Sequence, residues 1–124
     1  MVTQAQVRIP SDWAGSGPEY VAYQTFIRLG KTPGQDFTYQ SPLLGGRLDK
    51  GGFIIDFLFT NQPDLGVNVQ GIYYHYQKYP DGVEVKARDV LARASLAGQN
   101  ITLIFIDDDD LMQDPQFYCR EALN

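Results

Sequence analysis

The run Phe53-Ile54-Ile55-Asp56-Phe57-Leu58-Phe59 constrains the fold more than any other stretch of the chain. Apolar side chains occupy both parities of the run, so as a strand it has two apolar faces, and such a strand is covered on both. That demands a layered structure with a sheet in the middle. One carboxylate, Asp56, interrupts the run. A buried carboxylate needs a cation, a metal ion or several hydrogen bonds, because leaving it bare costs several kcal/mol. Asp56 is therefore either structurally paired or functional.

The chain has 124 residues, a length that suits one domain over 1–124 with its own core. Apolar content of 44% and charged content of 20% fit a soluble globular protein. No apolar run reaches bilayer length and residues 1–13 carry no signal-like segment, so no membrane partner is expected. The single cysteine, Cys119, excludes an internal disulfide and a Cys-rich zinc site, and points to a reducing, cytoplasmic compartment. The net charge of −5 and a pI near 4.6 argue against a large non-specific nucleic-acid footprint, which is built from Lys and Arg. A small basic patch on an acidic body remains compatible with these values.

Residues 1–15 read as an extended lead-in. Ser16 and Glu19 have capping-box spacing, Pro18 suits a first helical turn and Gly30 can end a helix, so residues 16–30 are predicted helical. Residues 36–41 alternate as a strand, residues 42–52 form a loop with four glycines, and residues 53–59 and 67–74 form buried strands joined by a turn at 61–66. After a turn at 77–82, residues 83–98 are predicted to form a helix ending at Gly98. Residues 101–106 form another apolar strand, and Pro115 opens a terminal helix over 115–123. The order is α-β-β-β-α-β-α. The short turn makes the Asp56 and Val69 strands an antiparallel hairpin, and the crossover before the last strand makes that connection parallel. The class is α/β (α+β), with a mixed sheet of about four strands flanked by helices.

This order, with an Asp on one strand and a second strand running to Gly71, follows the layout of the PD-(D/E)xK nuclease core. The acidic residue and lysine of the classical motif are replaced here by Asn68 and Gln70 in "VNVQG". Other pieces appear in a fixed order: Glu19 in "GPEYVAY", Asp56 in "IIDFLF", His75 in "VQGIYYH" four residues after Gly71, and Asp89 in "KARDVLARASLAG". With "FTYQSPLLGG" and "GQNITLIFIDDDDLM" they span roughly residues 17 to 115. In this the chain resembles the very-short-patch-repair endonucleases and the EDxHD homing endonucleases.

The resemblance implies a restriction-endonuclease-like core and metal-dependent hydrolysis of DNA, with Glu19, Asp56, His75 and Asp89 as catalytic residues. It implies Mg²⁺, or Mn²⁺, held by Asp56 and by a main-chain carbonyl two residues before the glycine, at Val69. A hard cation polarises the phosphate and activates water, and carboxylate and carbonyl oxygens suit it. His75 has the pKa range for proton transfer near neutrality, and Glu19 and Asp89 would hold metal-bound waters or orient His75. A phage or mobile-element origin is suggested by the same resemblance. A homodimer, which doubles the basic surface, is one expected arrangement.

Each candidate also has a structural explanation. Glu19 can simply complete the capping box with Ser16, and His75 can be a strand-end residue beside Tyr73, Tyr74 and Tyr76. Asp89 can face solvent, with Glu84 as its competitor. The run Asp107–Asp110 reads as a solvated strand end, with Asp107 or Asp108 near the carboxyl edge of the sheet. Cys119 reads as a packed residue, and Tyr20 and Tyr23 as core-facing. The alternative to a nuclease is a non-catalytic binding or viral assembly module that retains the core, which the acidic pI and the missing motif lysine favour. Lys31, Arg47, Lys50, Lys78, Lys86 and Arg88 are expected to form a basic rim around the Asp56 cleft.

Overall fold

Helix α1 (Gly17–Arg28) begins where the capping box places it. The Glu19 N–H donates to Ser16 Oγ at 3.2 Å, and the Glu19 carboxylate accepts from the Ser16 N–H and hydroxyl. Gly30, at φ 93°, takes the left-handed conformation that follows the helix end. Val21, Ala22, Thr25 and Phe26 form the buried face. The Thr25 hydroxyl is satisfied within the helix by donating to the Val21 carbonyl at 2.7 Å.

The computed structural model describes residues 10–13, 15–41, 55–59, 65–70, 83–88, 90–96 and 101–124. Its strands are β1 (Phe37–Ser41), β2 (Ile55–Phe59), β3 (Leu65–Gln70), β4 (Val83–Arg88), β5 (Ala92–Leu96) and β6 (Thr102–Asp107). Two short helices follow, α2 (Asp108–Gln113) and α3 (Pro115–Ala122). Among the described residues no helix is long and apolar enough to cross a membrane.

The described strands form one mixed sheet in the order β1-β2-β3-β6-β5-β4. β1-β2-β3 and β4-β5-β6 are two antiparallel meanders, and they meet at a parallel β3–β6 pair in the centre. The expected β2–β3 hairpin and the parallel last strand are both present. The expected helix over 83–98 is not: β4 and β5 occupy that segment, and the sheet has six strands instead of about four. Ala, Leu, Arg, Lys and Glu favour a helix there by intrinsic propensity. A period-two pattern runs through the same residues, with Val83 and Val85 alternating with Glu84 and Lys86, and buried Ala92 and Ala94 with Arg93 and Ser95. Pairing with β6 decides in favour of the strand, because small Ala side chains fit against its apolar residues. The chain still returns to place β6 parallel to β3, through a β-hairpin.

The sheet has an apolar cluster on each face. Phe37, Phe57, Phe59, Val67, Ile104 and Ile106 pack with Ala22 and Phe26 of α1, Leu111 of α2, and Cys119 and Ala122 of α3. Ile55, Ala92, Ala94, Leu103 and Phe105 form the second cluster, with Leu58 against it. β6 supplies alternate residues to both, as a central strand with two apolar faces must. Gly66 is the close approach in this second layer. It lies opposite Leu58 and beside Leu103, and a Cβ there would stand 2.9 Å from Ile55 Cγ2 and 3.0 Å from Leu103 Cδ2. Ile55 is branched at Cβ, so its Cγ2 methyl cannot swing aside. Gly66→Ala is expected to cost about 1–3 kcal/mol through overpacking, seen as a lower urea midpoint at unchanged slope.

β4 is an edge strand with Glu84, Val85 and Lys86 exposed. A register shift between Val85 and Ala87 leaves Lys86 as the extra residue of a bulge. Charge and bulge together oppose edge-to-edge pairing with another chain.

Candidate functional site

Asp56 is buried, at 7% exposure, as the second residue of β2. Ile55 and Phe57 are two residues apart and would share a face in a regular strand, yet Ile55 packs in the second cluster and Phe57 in the helix-side cluster. The strand therefore turns about its axis at Asp56, an irregularity of the kind that re-aims a side chain.

The β2–β3 ladder has its last registered pair at Phe57 and Val67. Beyond it, side chains complete the seam. The Asp56 N–H donates to Asn68 Oδ1 at 3.1 Å, and the Val69 N–H donates to Asp56 Oδ2 at 2.9 Å. Each strand thus contributes a side chain to the other's main chain, which satisfies backbone groups that the rotation removes from the ladder. Asp56 contacts the main chain of Val69 through the Val69 amide N–H, whereas the expected metal ligand is the Val69 carbonyl.

This clasp lies at the carboxyl end of the central parallel pair, where Val69 is in register with Ile106 and Gln70 with Asp107. Gln70 is buried at 6% exposure and Asp107 is half-buried. β6 ends at Asp107, the position expected at the sheet's carboxyl edge. Asp108, Asp109 and Asp110 continue as the first turn of α2, where carboxylates complement the positive end of the helix. Burial raises the Asp108 carboxyl above its ordinary value, and the Asp109 and Asp107 carboxylates add to this.

Glu19 serves two purposes. One carboxylate oxygen holds Ser16, and the other accepts from the Tyr39 hydroxyl at 2.5 Å. Tyr39 is the register partner of Phe57, with ring centroids 5.3 Å apart, and its ring also stacks on Trp13 at 4.6 Å. The capping explanation of Glu19 is therefore correct. In addition, Tyr39 ties Glu19 to the residue next to Asp56. Nothing in the sequence marks Tyr39 for this role beyond its alternation with Thr38.

His75 and Asp89 lie outside the described residues, as do Arg47, Lys50 and Lys78 of the expected basic rim. The strands on either side of Asp89 replace the helix on which it was expected. Glu84 is exposed on β4, four strand spacings from β2 and so about 19 Å away. That removes it as a substitute at Asp56, and Lys86 on the same strand is equally remote. Among the described residues no group of three or more His, Cys, Asp and Glu is disposed to hold a metal ion.

Cys119 is fully buried in the helix-side core, and burial pushes its thiol from 9.0 up to about 12. It is a packed residue. The folded state holds the thiol protonated more tightly than the unfolded state does. This contribution is complete below pH 9 and is lost as pH rises toward 12, at up to about 1.4 kcal/mol per pH unit. Burial followed by the Asp110 and Asp114 carboxylates shifts the Tyr118 phenol upward as well, in the same sense. Urea midpoints are expected to fall steadily from pH 9 upward, with a shallower fall in Cys119→Ala. Ellman's reagent is expected to label the thiol only under denaturing conditions.

No protein-family model, no curated protein and no solved structure matches this chain.

Proposed function

We propose that the chain is a metal-dependent DNA endonuclease of the EDxHD type, built on a restriction-endonuclease-like core with Asp56 at its centre. One observation carries the reading: a buried carboxylate placed at a rotation of its strand, at the carboxyl end of the central parallel pair. Open α/β sheets bind ligands at that end. The order α1-β1-β2-β3 followed by a strand parallel to β3 supports it as well.

The neighbourhood suits a hard cation. Asp56, the main chain at Val69 and the oxygen-bearing side chains of Gln70 and Asp107 are all oxygen donors, the type that Mg²⁺ and Mn²⁺ take. A bound Mg²⁺ would supply charge stabilisation at the phosphate and a more acidic water. The protein's part is to hold Asp56 in place through Val69 and Asn68, and to keep Glu19 oriented through Tyr39. His75 is proposed as the proton-transfer group and Asp89 as its orienting carboxylate.

A second reading, a non-catalytic binding or assembly module, is favoured by two specific observations. The Asp56 carboxylate has a structural partner in the Val69 N–H, and residues 83–96 form a hairpin in place of the crossover helix. Incubation of supercoiled plasmid with Mg²⁺ or Mn²⁺ separates the two. Nicked or linear product that disappears with EDTA supports the nuclease. Intact plasmid under both metals, with His75→Ala indistinguishable from wild type, supports the module. A second copy in a homodimer would dock away from the bulged, charged β4 edge.

A further inference from the structure

We propose that Trp13 and Gly15 are positioning residues for Glu19. Through Tyr39 they orient its carboxylate so that one acceptor position, on Oε1, is left for a water molecule of the reaction. The proposal deepens the endonuclease reading and rests on it.

An ionised carboxylate offers about four acceptor positions. On Glu19, Oε2 accepts from the Ser16 N–H at 3.4 Å and from the Ser16 hydroxyl at 3.0 Å, and Oε1 accepts from the Tyr39 hydroxyl at 2.5 Å. The capping box needs only Oε2. The last torsion of a Glu side chain is broad, so a second anchor is required to fix where Oε1 points. Tyr39 is that anchor, and among the described residues it leaves one position on Oε1 open.

Trp13 and Gly15 put the Tyr39 hydroxyl in its place. The Trp13 ring stacks on Tyr39, and its indole N–H donates to the Ser16 carbonyl at 3.0 Å, which ties it to the start of α1. With Phe57 and Tyr23 at centroid distances of 5.3 and 6.2 Å, the Tyr39 ring is wedged on several sides. Gly15 passes over the hydroxyl itself. A Cβ there would stand 1.8 Å from Tyr39 Oη, 2.9 Å from Glu19 Oε1 and 3.1 Å from Trp13 Nε1. Gly15 lacks the positive φ of Gly30 and Gly34, so space, and not backbone conformation, demands glycine at this position. Any side chain would push the hydroxyl off Glu19 by about 1 Å or more, and a misplacement of that size in a catalytic group costs up to about a hundredfold in rate.

Plasmid nicking by the full chain with Mg²⁺ is measured as kcat and KM separately. Tyr39→Phe, which keeps the ring and removes the hydroxyl, and Gly15→Ala are expected to lower kcat roughly tenfold to a hundredfold with KM near wild type. Trp13→Phe, which keeps a ring for stacking, is expected to stay near wild type, and Trp13→Ala to behave like Tyr39→Phe. Glu19→Gln is expected to be slow, and adding Tyr39→Phe or Gly15→Ala to it is expected to cost nothing further, because residues that act through one another are not additive. Circular dichroism melts establish that each variant is folded, and Tyr39→Phe decides the matter if Gly15→Ala is not. Unchanged kcat in Tyr39→Phe and Gly15→Ala, or their full additional loss on top of Glu19→Gln, overturns this inference and leaves the proposed function standing. Wild-type rates in Glu19→Gln overturn it as well. Absence of metal-dependent cleavage by the wild type overturns both.

Discussion

Asp56→Asn is expected to reduce metal-dependent cleavage at least about a hundredfold while leaving the fold within about 1 kcal/mol of wild type. The two effects separate because the carboxylate has two roles. On the proposed reading its charge serves the cation, and one of its oxygens accepts from the Val69 N–H at 2.9 Å. An asparagine retains an acceptor oxygen for that N–H, while it loses the charge and exchanges the second acceptor oxygen for an NH2 donor. Asp56→Ala removes the acceptor too and leaves the Val69 N–H unpaired at the seam between β2 and β3. That variant is expected to lose about 1–3 kcal/mol of stability as well as activity. Plasmid nicking and urea denaturation on the pair of variants read the roles independently. Cleavage by Asp56→Asn at the wild-type rate would make the residue purely structural, while an undiminished midpoint for Asp56→Ala would show that the clasp contributes nothing to folding.

The parts of this fold that are legible in the sequence are those set by local chemistry. The capping box Ser16–Glu19, the helix stop at Gly30 and the Asp114–Pro115 start of α3 each involve residues within a few positions of one another, and the structure has all three. The β2–β3 hairpin and β6 are legible because two-faced apolar strands have few other ways to be buried. Residues 83–96 misled because helix-forming composition and a period-two pattern coexist there, and a contact remote in sequence, β5 with β6, decides between them. The candidate site divides along the same line. Asp56 stands out by burial alone. The Asn68 clasp, the Tyr39 hydroxyl on Glu19 and the pairing of Gln70 with Asp107 are products of register, and register is set by turns and by neighbouring strands. Reading Asn68 and Gln70 only as departures from a motif gave no hint that one holds the Asp56 main chain and the other is buried beside Asp107.

Phe26→Ala is expected to destabilise the protein by about 3–5 kcal/mol, a large share of the roughly 5–15 kcal/mol that holds a domain of ordinary stability together. Phe26 is fully buried on α1, with its ring centroid 5.2 Å from that of Phe57, 4.9 Å from Phe59 and 5.9 Å from Phe37. It is therefore the ring through which the helix grips β1 and β2. Truncation leaves a void between three aromatic rings that cannot easily move inward, because each is itself packed against strand neighbours. Phe26→Leu fills most of that void and is expected to cost under about 2 kcal/mol. The same ring also has a functional consequence. Glu19 lies on α1, and Tyr39 and Asp56 lie on β1 and β2, so the grip of Phe26 sets the distance between the helix and the strands that carry the site. In low denaturant, where Phe26→Leu is still folded, the proposed cleavage is expected to fall while the proposed Mn²⁺ binding at Asp56, which rests on the contacts between β2 and β3, stays near wild type. Equal losses of binding and cleavage in Phe26→Leu would mean that the sheet end itself depends on the helix. An Ala variant no less stable than the Leu variant would mean that the three rings close over the void and that α1 is anchored elsewhere.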